Sequence, residues 1–377
     1  MADRPETGVR KHRAGIVVGL VLVLVAAGVG GWTAFTGSLP FLQDKEHYCW
    51  GAWEQDSGPR VLGGEAVEGG GSRGVKESPP TAGRPSGSCT LTVRAGSGSG
   101  GEKVSYSDRV TVRYGAVPDG GTERRAWLGE FLDARSVRLP DGLSGTVGQD
   151  RAVVVLPKRC EAGGRPAAVS LRVHGRSTSA SGEMANPSLL GTGREVATML
   201  LDAANAGMSK ADCARENPLE LASSFPGATE ESDRSGPVPK EVCDIPGLRG
   251  GQDAGTWSWT RADDARLRIC TVSTEGAQGE EPELAGQFLI VTEPRLMALF
   301  DGMTGDKAPG PGWRGKGVFH EDYAAVRADC DGTDAVFFQQ LDKGMREAAE
   351  PDPERVFARG VDAAAQRAGC GRVAPAG

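Results

Sequence analysis

Two periods organise the apolar and polar positions of this chain, and one long stretch has no period at all. In "CTLTVR", Cys89, Leu91 and Val93 fall on one face while Thr90, Thr92 and Arg94 fall on the other. "RVTVRY" alternates in the same way with Val110, Val112 and Tyr114, and "AVSLRVHG" with Val169, Leu171 and Val173, leaving His174 towards solvent. Successive side chains of a strand point to opposite faces, so each run predicts a half-buried β-strand. The helical period closes two segments. Val196, Met199, Leu200, Ala203, Gly207 and Met208 form one stripe ahead of Cys213, and Phe357, Gly360, Val361, Ala364, Ala365 and Ala368 form another ahead of Cys370. The second stripe is mostly small residues, which predicts close packing of that helix on a sheet. Strands with a closing helix on one face give an α+β fold of mainly antiparallel sheets.

The stretch without a period is "AGIVVGLVLVLVAAGVGGWTAF", Ala14 to Phe35, 22 residues without a charge. A helix of that length spans roughly 30 Å, the thickness of a bilayer's hydrocarbon core. Residues 14–35 are therefore expected to be a transmembrane helix, with the lipid bilayer as partner. Arg10, Lys11 and Arg13 abut the run, so residues 1–13 read as a cytoplasmic tail and the chain after Thr36 as extracellular. Trp32 and Phe35 fall at the outer interface. A cleaved signal peptide is the alternative, with Ala26, Ala27 and Gly28 as a cleavage region, although the run exceeds a typical signal core. Both readings export the bulk of the chain.

All eight cysteines (Cys49, Cys89, Cys160, Cys213, Cys243, Cys270, Cys330 and Cys370) follow the apolar run, and none forms a CxxC pair. An even count confined to an exported region points to structural disulfides, not to a zinc ribbon or a redox pair. The order cysteine, Cys-Thr strand, cysteine, helix, cysteine occurs from Cys49 to Cys213 and again from Cys243 to Cys370, with "CTLTV" echoed by "CTVST" and "LDAANAGMSKADC" by "VDAAAQRAGC". This order reads as two tandem, duplicated domains, 46–213 and 241–372. The segment 214–240 between them has linker composition, with Pro218, Pro226, Pro237, Pro239 and an acidic run. The Gly-, Pro- and Ser-dense stretch from Gly63 to Ser88 reads as a long surface loop. Joining strand end to helix end would pin each closing helix, giving Cys160–Cys213 and Cys330–Cys370. Cys49–Cys89 and Cys243–Cys270 would then fasten each entry segment to its first strong strand. Other pairings within each set stay open.

The Cys-Thr-Val strands, the cysteine after an aliphatic strand and the terminal "DAA…C" helix resemble exported, membrane-anchored proteins of actinomycetes, particularly streptomycetes. That resemblance implies a cell-surface protein and carries over no activity or catalytic residue. A looser similarity is to the PsbP-like α/β/α sandwich of some actinobacterial lipoproteins, though no lipid-modification cysteine follows the apolar run here.

Composition agrees with a GC-rich bacterial source, glycine alone contributing 56 of 377 residues. The net charge is −7, and the tail to Arg13 holds four basic and two acidic residues, so the rest carries −9. An acidic exported region argues against a nucleic-acid or anionic-polymer binder that acts through bulk charge.

Motifs for chemistry are scarce. "GSGSGG" at Gly96 to Gly101 fits G-x-G-x-x-G, but a strand-like run follows where a dinucleotide site needs a helix, so it reads as a hairpin loop. In "FHEDY", His320, Glu321 and Asp322 are consecutive and would point to opposite faces of a strand, which suits a solvated turn better than a metal or acid–base site. There is no GxSxG elbow, and Ser144 in "GLSGT" has no base nearby in sequence. No catalytic, cofactor or metal residue is expected. Trp50 and Trp53 in "CWGAW" and Trp257 and Trp259 in "TWSW" are the candidate binding aromatics, as exposed platforms for sugar or peptide; the competing and weightier reading makes them core anchors. The expected function is a non-catalytic binding or interaction module at the cell envelope, with a cell-wall or envelope-protein partner and no nucleic acid. The alternative is an envelope hydrolase whose active site is assembled from scattered residues.

Overall fold

The alternating runs form an antiparallel sheet in the first half of the chain, and a second antiparallel sheet fills the second half. A computed structural model describes residues 47–67, 71–97, 104–179, 182–186, 189–223, 241–250, 257–264, 266–274, 282–367 and 370–375. The expected tail and transmembrane run, residues 1–13 and 14–35, lie outside them, and no helix among the described residues is long and apolar enough to cross a membrane.

The first half contains β1 (His47–Tyr48), β2 (Trp53–Glu54), β3 (Ser72–Ser78), β4 (Gly87–Ser97), β5 (Val104–Ala116), α1 (Gly121–Phe131), β6 (Val137–Arg138), β7 (Gly145–Val147), β8 (Arg151–Val155), β9 (Ala167–Ser179), β10 (Gly182–Asn186) and α2 (Gly193–Lys210). The second contains β11 (Trp257–Asp263), β12 (Leu267–Thr274), β13 (Glu283–Val291), α3 (Pro294–Met297), β14 (Lys316–Phe319), β15 (Tyr323–Cys330), β16 (Thr333–Leu341), α4 (Lys343–Ala348) and α5 (Pro353–Arg367). Strand order is β3-β4-β5-β9-β8-β7-β6 in the first sheet, with β10 on β9, and β11-β12-β13-β16-β15-β14 in the second. In both, a helix follows the third strand and the last central strand returns beside that third strand.

The stretch expected as a loop from Gly63 to Ser88 instead contributes β3, the edge strand on β4. Its alternate positions are exposed, and backbone pairing needs no apolar side chains, so composition hid it. β4 and β5 pair as far as Ser97 opposite Val104, and residues 98–103, with most of the glycine-rich motif, lie outside the described residues.

Each sheet buries one face under its closing helix. Leu91, Val93, Val110, Val112, Val169 and Leu171 pack beneath Val196, Met199, Leu200 and Ala203 of α2. Thr192 caps α2: its hydroxyl accepts from the Glu195 N–H at 3.4 Å while its own N–H donates to Glu195 Oε2 at 2.7 Å. In the second half Phe288, Ile290, Val326 and Phe337 pack beneath Phe357, Val361, Ala364 and Ala365 of α5. Gly207 marks the close approach of α2, since a Cβ there would overlap the Tyr114 ring. Gly207→Ala gains helix propensity of about 1 kcal/mol, but overpacking costs about 1–3 kcal/mol. A net loss of stability in urea unfolding is the expected result.

Four disulfides close the outer layers: Cys49–Cys89, Cys160–Cys213, Cys243–Cys270 and Cys330–Cys370. The entry cysteine and its successor are left-handed in both halves, Cys49 and Trp50 at φ 51° and 67°, Cys243 and Asp244 at φ 61° and 53°.

A third apolar core lies between the two sheets. Leu128, Phe131 and Leu132 of α1 and its exit, with Val153 and Val155, meet Leu289, Val291, Phe300 and Phe338 from the second half. The second sheet is thus covered on both faces, which is why β13 and β16 are buried through seven consecutive residues and do not alternate. Polar groups complete the junction. Leu132 is the C-cap of α1, and its carbonyl accepts from Gln287 Nε2 at 2.7 Å; Gln287 Oε1 accepts from Gln340 Nε2 at 2.8 Å. Helix ends leave carbonyls without internal partners, and here the opposite sheet supplies the donors. Gln287→Leu strips the Leu132 carbonyl of its donor in a buried site and is expected to cost about 1–3 kcal/mol in thermal or denaturant unfolding.

Arginines cross the junction in both directions. Arg295 donates to the Leu156 carbonyl at 2.6 Å and to Glu161 at 2.8 Å, Arg138 donates to Asp264 at 2.7 Å, and Arg125 pairs with Asp322. Of the linker segment, residues 214–223 are described and lie on the first half: Leu219 exchanges hydrogen bonds with the Asn205 side chain, and the Ala222 and Ser223 N–H groups donate to Asp141. Beyond the expected boundary at 372, Val373 and Ala374 are still buried in the second core.

Candidate functional site

The tryptophans divide. Trp53 is 1% exposed, and its indole N–H donates to the Met199 carbonyl of α2 at 3.0 Å. Trp50 is also buried, with its backbone N–H donating to Glu77 at 2.9 Å. Neither offers a stacking platform, because both are buried in the core that also holds Cys49 and Cys89. Their candidacy as binding aromatics is corrected accordingly. Trp257 and Trp259 belong to β11, paired with Thr274 and Val272, and their side chains lie outside the described residues.

"FHEDY" forms the turn between β14 and β15. The His320 ring stacks on Tyr323 with centroids 4.7 Å apart, and the Arg125 guanidinium sits 5.0 Å from the centre of the Tyr323 ring. A shallow cleft of about 270 Å³, open solvent included, is lined here by Phe319, His320, Tyr323, Gln339, Arg346 and Glu354. Burial lifts the Tyr323 hydroxyl above its usual range, with Arg125 opposing and Asp322 adding to the rise. The two acids of the turn are engaged: Asp322 pairs with Arg125, and Glu321 lies 3.5 Å from Arg346. The turn clamps the two halves together. Among the described residues no three His, Cys, Asp or Glu side chains converge as a metal site.

The other face of the first sheet carries a different pattern. Across β3, β4, β5 and β9 the register places Ser72, Arg94, Ser107 and Arg176 in one row. The next row is Gly74, Thr92, Arg109 and His174, followed by Lys76, Thr90, Thr111 and Arg172, and then Ser78, Ser88, Arg113 and Ser170. These rows hold five arginines, one lysine and one histidine, and every other position is serine, threonine or glycine. None is acidic, and none is Phe, Tyr or Trp. Lys76, Arg94, Arg109, Arg113 and Arg176 are exposed. Where this face meets α1, Glu130 pairs with Arg172 at 2.7 Å. Beyond that edge, on β8, Arg151 is bound to Asp150 at 2.6 Å and lies 3.7 Å from Asp133. Burial raises the Asp150 carboxyl, but the Arg151 hydrogen bond and charge, helped by Arg135, outweigh it and hold it below the carboxylate range. Among the described residues no hydrogen bond or ion pair occupies the side chains of Arg94, Arg109 or Arg113.

The face therefore combines positive charge with hydroxyl groups and has no carboxylate in its rows. Neighbouring strands lie about 4.8 Å apart and same-face residues about 6.8 Å apart along a strand. The four rows form a field of roughly 14 by 20 Å. Guanidinium forks in such a field can take anionic oxygens two at a time, with hydroxyl donors between them. The polar half of each alternation was visible in sequence, in Thr90, Thr92, Arg94 and His174, but bulk acidity masked it and only the pairing register brings the arginines onto one field. No protein-family model, curated protein or solved structure matches this chain.

Proposed function

We propose that this chain is a single-pass, membrane-anchored extracytoplasmic protein that acts as a non-catalytic binding module for an anionic component of the cell envelope. The observation that carries this reading is the acid-free arginine field on β3, β4, β5 and β9, in a protein whose net charge is −7. Local charge, not bulk charge, sets the potential that an extended ligand meets at close range. Export is supported by the uncharged run from Ala14 to Phe35 and by the four disulfides, which belong in an oxidising compartment. Duplication is supported by the shared strand order, the equivalent crosslinks and the left-handed entry cysteines. The first half then carries the ligand face, and the second half braces it through the common core.

The test is co-sedimentation of the full chain, in mild detergent, with purified envelope material. Retention that falls steeply with added salt is expected. Failure to co-sediment at any salt concentration would reject the binding-module reading.

A further inference from the structure

We infer that the arginine field takes an extended, base-free phosphodiester polymer, a chain of polyol or sugar phosphates lying across the strands. The inference rests on the binding-module reading and narrows its ligand to one chemistry.

The field spreads its exposed cations over four strands, which suits a chain rather than a single anion. Its cations are dispersed: Arg94 and Arg176 are separated by Ser107 in one row, and Arg109 and Arg113 by Thr111 along one strand. A phosphodiester chain repeats this arrangement from the ligand side, with one negative charge at each linkage and neutral hydroxylated units between. Arginine matches phosphate oxygens with two parallel N–H bonds, and serine and threonine donate to the remaining oxygens.

The same rows weigh against the competing partners. Single-stranded nucleic acid is held by a series of aromatic side chains on which successive bases stack, and these rows offer the His174 ring and no Phe, Tyr or Trp. A membrane surface is bound by basic residues mixed with apolar ones that enter the headgroup region, and no apolar side chain shares this field.

The experiment titrates the full chain in detergent with synthetic poly(glycerol phosphate), with polygalacturonate, single-stranded DNA and phosphatidylglycerol vesicles as comparison probes. Poly(glycerol phosphate) is expected to bind with an affinity falling as salt rises, the log–log slope approaching about −0.7 for each phosphate neutralised. Replacing Arg94, Arg109 and Arg113 together by serine is expected to weaken binding about 1,000-fold, taking roughly tenfold for each of the three lost charge-assisted contacts. The lysine versions R94K, R109K and R113K keep the charge and lose the fork; they are expected to weaken it about tenfold. They also serve as the folding-neutral comparison if the serine variant melts early. Equal or tighter binding of polygalacturonate, DNA or vesicles would overturn the phosphodiester assignment while leaving a binding module in place. Unchanged affinity in both triple variants would overturn the assignment of the face itself. No binding of any probe, with co-sedimentation intact, would place the envelope ligand elsewhere and end the inference alone.

Discussion

Phe338→Ala is expected to destabilise the protein by about 3–5 kcal/mol and to do so in both halves at once. Phe338 is fully buried in the core between the sheets, its ring 5.3 Å from Phe300 and 6.1 Å from Tyr323. Removing it leaves a cavity that rigid neighbours fill poorly, so the loss exceeds the transfer energy of the ring alone. The core it belongs to includes Leu128, Phe131, Val153 and Val155 of the first half, so the damage reaches across the junction. Hydrogen exchange read by mass spectrometry should show amides of β9 and β16 losing protection together, at a denaturant concentration below that of the parent. A transition confined to the second sheet, with β9 unaffected, would show that the halves unfold separately.

The double variant Cys160→Ser with Cys213→Ser is expected to lose about 4 kcal/mol, the loop-entropy value for a closed segment of this length. The bond joins residues 53 apart and ties the turn after β8 to the end of α2, where the Tyr114 hydroxyl lies 3.1 Å from Cys213 Sγ. Burial pushes that hydroxyl up to about 12, so it remains neutral there at ordinary pH. Cys243–Cys270 closes a segment of 27 residues, half as long. Its removal should cost less by about 0.6 kcal/mol, following the logarithmic dependence on loop length. Thermal unfolding of the two double variants measures both values. A loss below about 1 kcal/mol at 160/213 would mean that α2 is held by its packing alone.

Much of this fold was legible because alternation reports one-sided burial. "CTLTVR", "RVTVRY" and "AVSLRVHG" are central stretches of β4, β5 and β9, and the two helical stripes are the buried faces of α2 and α5. The core between the halves was harder to see. Its signal lies in the "FLIV" of "QFLIV" and the "AVFF" of "AVFFQQ", short unbroken apolar runs that mean burial on both faces. Gln287 and Gln340 inside those strands look out of place until Gln287 is seen to donate to the Leu132 carbonyl at the end of α1, with Gln340 donating to Gln287. β3 escaped notice because an edge strand with four exposed positions in seven carries no apolar pattern. The arginine field was half visible. Each strand shows its polar face in sequence, but whether four polar faces coincide depends on register, which one-dimensional charge counts cannot express.

The central claim is that this field is where the protein meets its ligand, and arginine footprinting tests it most directly. The full chain is treated with an arginine-selective dicarbonyl reagent, with and without envelope material, and the modified residues are read by mass spectrometry. Arg94, Arg109, Arg113 and Arg176 share the field, whereas the exposed Arg60 and Arg355 lie off it, on the turn after β2 and on α5. The account predicts protection of the four field arginines, with Arg60 and Arg355 modified as in the free protein. Undiminished modification of the field arginines at saturating envelope material would contradict it.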